Sequence, residues 1–217
     1  MISITLPDGS IRAFAPGTTP MEVAKNISEG FARNVISASF EGTTIETSTP
    51  LTTDGSLILY TWNDAEGKKA FWHSTSHVMA QVLEEMFPGI QLTLGPAIAN
   101  GFYYDVDFGD QKITEADFKA IESRILEISK EKHEFKMRAV TKAEALETYK
   151  DNVYKTELIS NLEDGTITFC DHATFTDLCR GGHIPNTSII KAVKIMSVAG
   201  AYWRGDEKNK QLTRVYG

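Results

Sequence analysis

Apolar and polar residues alternate over 2–6 (Ile-Ser-Ile-Thr-Leu) and the chain runs back over 10–14, with Pro7-Asp8-Gly9 between the two runs. Alternation with a period of two puts every second side chain on one buried face. Asp-Gly between such runs is a strong hairpin signal. The period then lengthens: Met21, Val23, Ala24 and Ile27 share one face of a helix. Thr19 fits its N-cap, Pro20 its first position and Glu22 the third, closing a capping box, and Gly30 suits the C-terminal cap. Short strands are predicted at 35–40, 43–46 and 57–61. Hairpin, helix and short strands in that order form a β-grasp pattern. Trp62-Asn63-Asp64-Ala65-Glu66-Gly67 reads as a linker, so the expected domains are 1–61 and 62–217.

The second part mixes helices and strands. A helix beginning near Ala70 has a buried stripe of Val78, Met79, Val82, Leu83 and Met86, and Phe87-Pro88-Gly89 ends it. The glycines and Pro96 of 95–101 suggest a tight loop entering a strand at 102–106. Thr114 opens a helix with Asp117 in its first turn and Phe118, Ile121, Ile125 and Ile128 as its apolar face. A third helix is predicted at 143–149 behind the Thr141/Glu144 pair, and strands at 167–170 and 192–198. The expected class is α+β: a small β-grasp domain, then a larger domain with a mainly antiparallel sheet packed with helices.

Composition narrows the function. With 41% hydrophobic residues in 217, the chain can bury a real core. A net charge of -7 argues against a global electrostatic field for nucleic acid, so RNA contact would depend on local basic patches. The two cysteines, Cys170 and Cys179, make no disulfide framework and point to a reducing compartment. The first residues lack a signal-peptide pattern, and no apolar run is long enough to span a bilayer. The expectation is a cytoplasmic protein without membrane association.

Candidate chemistry lies in two motifs, His73-Ser74-Thr75-Ser76-His77 and Asp177-Leu178-Cys179-Arg180-Gly181-Gly182-His183. Each contains a pair spaced i, i+4, which a helix would place on one face. Three imidazoles, a thiol and a carboxylate suit a polar pocket that holds a metal or activates a water. If zinc is bound, its ligands would be His73, His77, Cys179 and His183. With His73 and His77 near a helix N-terminus, the dipole would keep both rings neutral. Tyr103 and Tyr104 read first as core aromatics, and Lys155 as an ordinary surface lysine without further context. His133 and His172 are taken as structural.

The chain resembles known families at these motifs. Thr5-Leu6-Pro7-Asp8-Gly9-Ser10 and the order of elements resemble a TGS domain, a ubiquitin-like module. The two histidine motifs, Gly95-Pro96, Asn100-Gly101-Phe102-Tyr103-Tyr104-Asp105-Val106-Asp107, Gly200-Ala201-Tyr202-Trp203-Arg204-Gly205-Asp206 and Leu212-Thr213-Arg214-Val215-Tyr216-Gly217 are similar to the N-terminal half of bacterial threonyl-tRNA synthetases. One departure is Gly182, where that family commonly has proline, which would loosen the turn before His183.

The resemblance implies a TGS domain followed by the editing domain shared with alanyl-tRNA synthetases. It also implies an aminoacylation core after Gly217, where ATP, Mg and zinc would be used to join threonine to its tRNA. The chain is read as a fragment of such a ligase, whose own activity is hydrolysis of mischarged seryl-tRNA. One methyl group gives only ~1–3 kcal/mol of discrimination between serine and threonine, so a second, hydrolytic site is needed. The resemblance assigns His73, or His73 with His77, to water activation, and Cys179 and His183 to the pocket. It assigns Asp177 to the substrate ammonium, Lys155 to the terminal ribose or its departing oxygen, and Tyr104, with Tyr103, to the terminal adenosine. Arg180 is placed among the substrate contacts. Alanyl relatives hold zinc at such a site, whereas the threonyl branch favours a metal-free one, so the fragment is expected to require no cofactor. The partner is the 3' end of threonine tRNA carrying serine. The fragment is expected to be a monomer and the full-length ligase a homodimer. The alternatives are a non-catalytic RNA-binding or regulatory module with a structural zinc site, and a free-standing trans-editing factor.

Overall fold

The computed structural model describes residues Met1–Gly217. They divide into two compact units, 1–71 with 181–185, and 72–180 with 186–217.

In the first unit, β1 (Ile2–Thr5) and β2 (Ile11–Phe14) form the expected hairpin, with Ile2 opposite Phe14. Gly9 takes the turn at φ +81, and Leu6 and Ser10 close it with a 2.9 Å hydrogen bond. α1 (Pro20–Ile27) begins with the expected capping box: Thr19 accepts from the Glu22 N–H, and the Glu22 carboxylate accepts from Thr19. Its end differs from expectation. The helix stops at Ile27, and Ser28 caps the next helix, α2 (Glu29–Ala32), so Gly30 lies inside that turn. β3 (Val35–Phe40), β4 (Thr43–Ile45) and β5 (Gly55–Thr61) complete a sheet of order β2-β1-β5-β3-β4, in which only the β1–β5 pair is parallel. Ile2, Ile4, Leu6, Val23, Ala38, Leu51 and Leu57 form its core, with α1 packed on the sheet in the β-grasp manner.

The segment expected to be a linker is a tight turn. Asp64 accepts hydrogen bonds from the Thr61 N–H (2.7 Å) and hydroxyl (3.0 Å), and α3 (Ala65–Met86) starts at the next residue. An acidic side chain that satisfies the preceding backbone can replace a flexible connection.

The second unit holds two antiparallel sheets. β6 (Gln91–Leu92), β7 (Ala97–Ile98) and β8 (Gly101–Asp107) precede α4 (Glu115–Lys130), whose Phe118, Ile121, Ile125 and Ile128 are buried as the stripe predicts. β9 (Lys136–Ala139), α5 (Lys142–Thr148), α6 (Val153–Ser160), β10 (Thr168–His172) and β11 (Phe175–Leu178) follow. β12 (Ser197–Tyr202) and β13 (Gln211–Tyr216) join β8 and β6 in the order β12-β13-β8-β6, with β7 paired to β8, while β11-β10-β9 form the other sheet. Val140, Ala145, Ile159, Ile167 and Phe169 make one core cluster, and Tyr154, Trp203 and Leu212 another. The strand expected at 192–198 starts only at Ser197. Ile195 gives its N–H to the Glu122 carboxylate (2.9 Å) rather than to a neighbouring strand.

Candidate active site

α3 carries His73 and His77 one turn apart, with ring centroids 4.6 Å apart and nearly edge to face. The β10–β11 hairpin delivers the second motif. Cys170 pairs with Asp177 across it, and the chain leaves β11 at Cys179, whose N–H donates to Thr168 O and whose carbonyl accepts from the Thr168 hydroxyl. This brings His73 Nε2 to 3.1 Å from Cys179 Sγ. One donor atom from each of His73, His77 and Cys179 lies within 4.8 Å of the others. Two imidazoles and a thiol are donors that zinc favours, so the set fits that ion by type.

Behind this cluster sits a buried polar network. His77 Nδ1 is 3.0 Å from Asp177 Oδ2, and Asp177 Oδ1 is 2.5 Å from Lys155 Nζ. The Tyr104 hydroxyl donates to Asp177 Oδ2 (2.6 Å), and Lys155 Nζ to the Tyr104 oxygen (3.3 Å). All four side chains are buried. Lys155 is fixed by its helix: Asn152 caps α6 and accepts from the N–H groups of Tyr154 and Lys155. Tyr104 is fixed by close packing. A Cβ at Gly95 would come within 2.2 Å of its ring, so only glycine allows the ring to lie there. Ser76 Oγ lies 2.7 Å from His73 O and 2.6 Å from Gly95 O, tying α3 to that loop.

The charges follow from these contacts. Burial pushes the Asp177 pKa up, but the Lys155 ammonium and then His77 outweigh it and hold the carboxyl far below the ordinary range. Burial alone would lower the His77 pKa; negative charge at Cys179 and the bond to Asp177 reverse the sign and raise it. Burial, followed by the Asp177 charge, drives Tyr104 well above its usual value, so it remains a hydrogen-bond donor.

Several expected roles change. The helix begins at Ala65, two turns before His73, so a terminal dipole does not keep these rings neutral, and His77 is shifted towards the charged form. Tyr104 is fully buried against Gly95 and Asp177 and offers no face to an adenosine. Tyr103 is half-buried, and the Arg214 guanidinium lies 3.8 Å from its ring centre. Asp177 and Lys155 hold each other, so neither presents a bare charge to substrate, although both border a cavity of ≈ 290 Å³ shared with Glu84, Gln91, Tyr149 and Asn152. Arg180 is exposed.

His183 belongs to the first unit with the rest of Gly181–Pro185. Its ring is buried, and Nδ1 lies 3.0 Å from Glu46 Oε1. The Gly182 N–H donates to the same oxygen (3.0 Å), so Gly182 fastens this turn rather than loosening it. Glu46 and Ser76 escaped the sequence reading. Ser76 could have been suspected from its place between the two histidines, whereas no local signal marks Glu46, which lies 137 positions before His183.

Known proteins match the chain throughout. Residues 2–61 match the TGS domain, and 167–216 match the threonyl and alanyl tRNA synthetase second additional domain. Over all 217 residues the chain is 89% identical to a threonine–tRNA ligase of Flavobacterium johnsoniae and 84% identical to that of Flavobacterium psychrophilum. Identity to the Parabacteroides distasonis threonine–tRNA ligase is 56% over the whole chain. In each case it spans 34% of the relative's length. The chain therefore carries regions that match the TGS and second additional domains, and over its whole length it is similar to the N-terminal part of threonine–tRNA ligases.

Proposed function

We propose that the chain is a hydrolytic editing module that removes serine from mischarged threonine tRNA. Residues 1–61 serve as the TGS domain and 62–217 as the editing domain. The observation that carries this reading is the pairing of His73 with Cys179. His73 is the partly exposed ring of the cluster, and the buried ring, His77, is held by Asp177. His73 therefore takes a proton from water as the water attacks the ester carbonyl carbon. The bond from that carbon to the ribose oxygen then breaks, and His73 returns the proton to the departing oxygen. Cys179 orients His73, and His183, four residues further along the chain, remains a candidate pocket residue. Asp177, Lys155 and Tyr104 act as positioning residues for His77. Arg180 and Tyr103 remain candidates for contact with the tRNA end.

Were zinc bound, His73, His77 and Cys179 would hold it, and it would supply Lewis acidity. Zinc-favouring donors also support a second reading, a non-catalytic RNA-binding module in which such an ion is structural. The longer protein joins threonine to its tRNA with ATP and Mg, acts in the cytoplasm and dimerises, while this chain alone is a monomer.

The test is deacylation of seryl- and threonyl-esters of threonine tRNA by the chain and by His73→Ala. Hydrolysis of the seryl ester alone, abolished in the variant, is the expected result. A variant of normal rate refutes the assignment of His73. Tightly bound zinc with chelator-sensitive folding and no hydrolysis favours the structural module.

A further inference from the structure

Glu46 follows β4 and stands far from every motif of the site, yet its carboxylate is devoted to the turn that carries His183. Oε1 accepts from the Gly182 N–H (3.0 Å) and lies 3.0 Å from His183 Nδ1, and Oε2 accepts from the His183 N–H (3.1 Å). The His183 side chain has no exposed surface and that of Glu46 is 11% exposed, so these bonds form largely out of water. An ionised carboxylate only accepts, and the contact therefore requires the hydrogen to sit on Nδ1. In the neutral ring, that places the lone pair on Nε2. Backbone and ring are held by one carboxylate, so it sets both the path of the turn and the direction in which Nε2 points.

We propose that Glu46 is a positioning residue for His183: it selects the Nδ1–H tautomer and sets the direction of Nε2. This rests on the reading of His183 as a pocket residue. A carboxylate behind a functional histidine commonly changes activity by about 10–100-fold when removed. Glu46 is expected to do so without touching substrate, and its loss should lower kcat while leaving KM nearly unchanged.

The experiment combines imidazole ¹⁵N NMR with seryl-tRNA deacylation on the whole chain, for the unmodified protein, Glu46→Ala, Glu46→Gln and His183→Ala. His183→Ala also assigns the ring signals. The expected result is a single Nδ1–H tautomer for His183 in the unmodified protein and a mixture in Glu46→Ala, with kcat about 10-fold lower or less still. Glu46→Gln, whose amide oxygen still accepts from Nδ1, should recover most of both. An unchanged tautomer in Glu46→Ala overturns the proposal, even if stability drops, because Glu46 is then only structural. Normal hydrolysis by His183→Ala refutes the role of His183 while leaving the tautomer measurement to judge Glu46. If the chain hydrolyses neither ester, the tautomer alone decides.

Discussion

Lys155 Nζ lies 2.5 Å from Asp177 Oδ1, and both side chains are almost wholly buried. Removing one member of such a pair leaves an uncompensated charge and typically costs about 3–5 kcal/mol. Lys155→Met should therefore be strongly destabilised in urea unfolding. Lys155→Met with Asp177→Asn should lose less than the sum of the two single variants, because no bare charge remains. Additive losses would show that the pair is not coupled.

Gly95 determines where Tyr104 sits. A methyl group there would enter the Tyr104 ring and also press on Ser76 Oγ at 3.1 Å. Overpacking of this kind costs about 1–3 kcal/mol. Gly95→Ala should lower the denaturation midpoint and weaken the Tyr104–Asp177 bond. Seryl-tRNA hydrolysis should slow with it, since His77 shares Asp177. Unchanged stability would mean that the loop yields at no cost.

Asp107 gives a prediction about acid stability away from the cluster. Burial pushes its pKa up, but the Lys210 ammonium, the Tyr154 hydroxyl and the Gly109 N–H outweigh that and lower it. An unfolded aspartate takes its proton near pH ~3.9, and the folded one only at lower pH. The contribution is complete above about pH 4 and fades as pH falls through the folded value. Asp107→Asn should be less stable at pH 7, by no more than about 1 kcal/mol because Lys210 is largely exposed. The gap should close below about pH 4. A constant gap from pH 7 to pH 2 would contradict this.

Local rules made much of the fold legible. The Thr19–Glu22 capping box, the Asp8-Gly9 turn and the Phe118–Ile128 stripe all depend on residues within one or two turns of one another. One failure comes from a side chain elsewhere taking over a backbone group. Glu122 intercepts the N–H of Ile195 and delays β12. At the site, the residue types were readable from the motifs, but the partnership of Asp177 with Lys155 depends on how β11 meets α6. That long-range packing gives the Asp177 carboxylate a buried lysine partner that neither motif announces. Glu46 had no motif to betray it.

Gly182 provides the last test. Its φ of +88 lies in the left-handed region, and its N–H donates to Glu46. Proline, which the family resemblance expects here, has φ near −65° and no N–H, so it can satisfy neither requirement in this turn. Alanine keeps the N–H but pays for the positive φ, about 1 kcal/mol, and its Cβ would meet Thr44 Cγ2 at 3.3 Å. Gly182→Ala should therefore be mildly destabilised. Gly182→Pro should lose roughly a further 1.5–3 kcal/mol, the worth of a hydrogen bond to a charged group, unless the turn rebuilds. Calorimetric unfolding of the two variants separates these effects. If proline is no worse than alanine, the Gly182–Glu46 bond contributes nothing and the turn has another stable path.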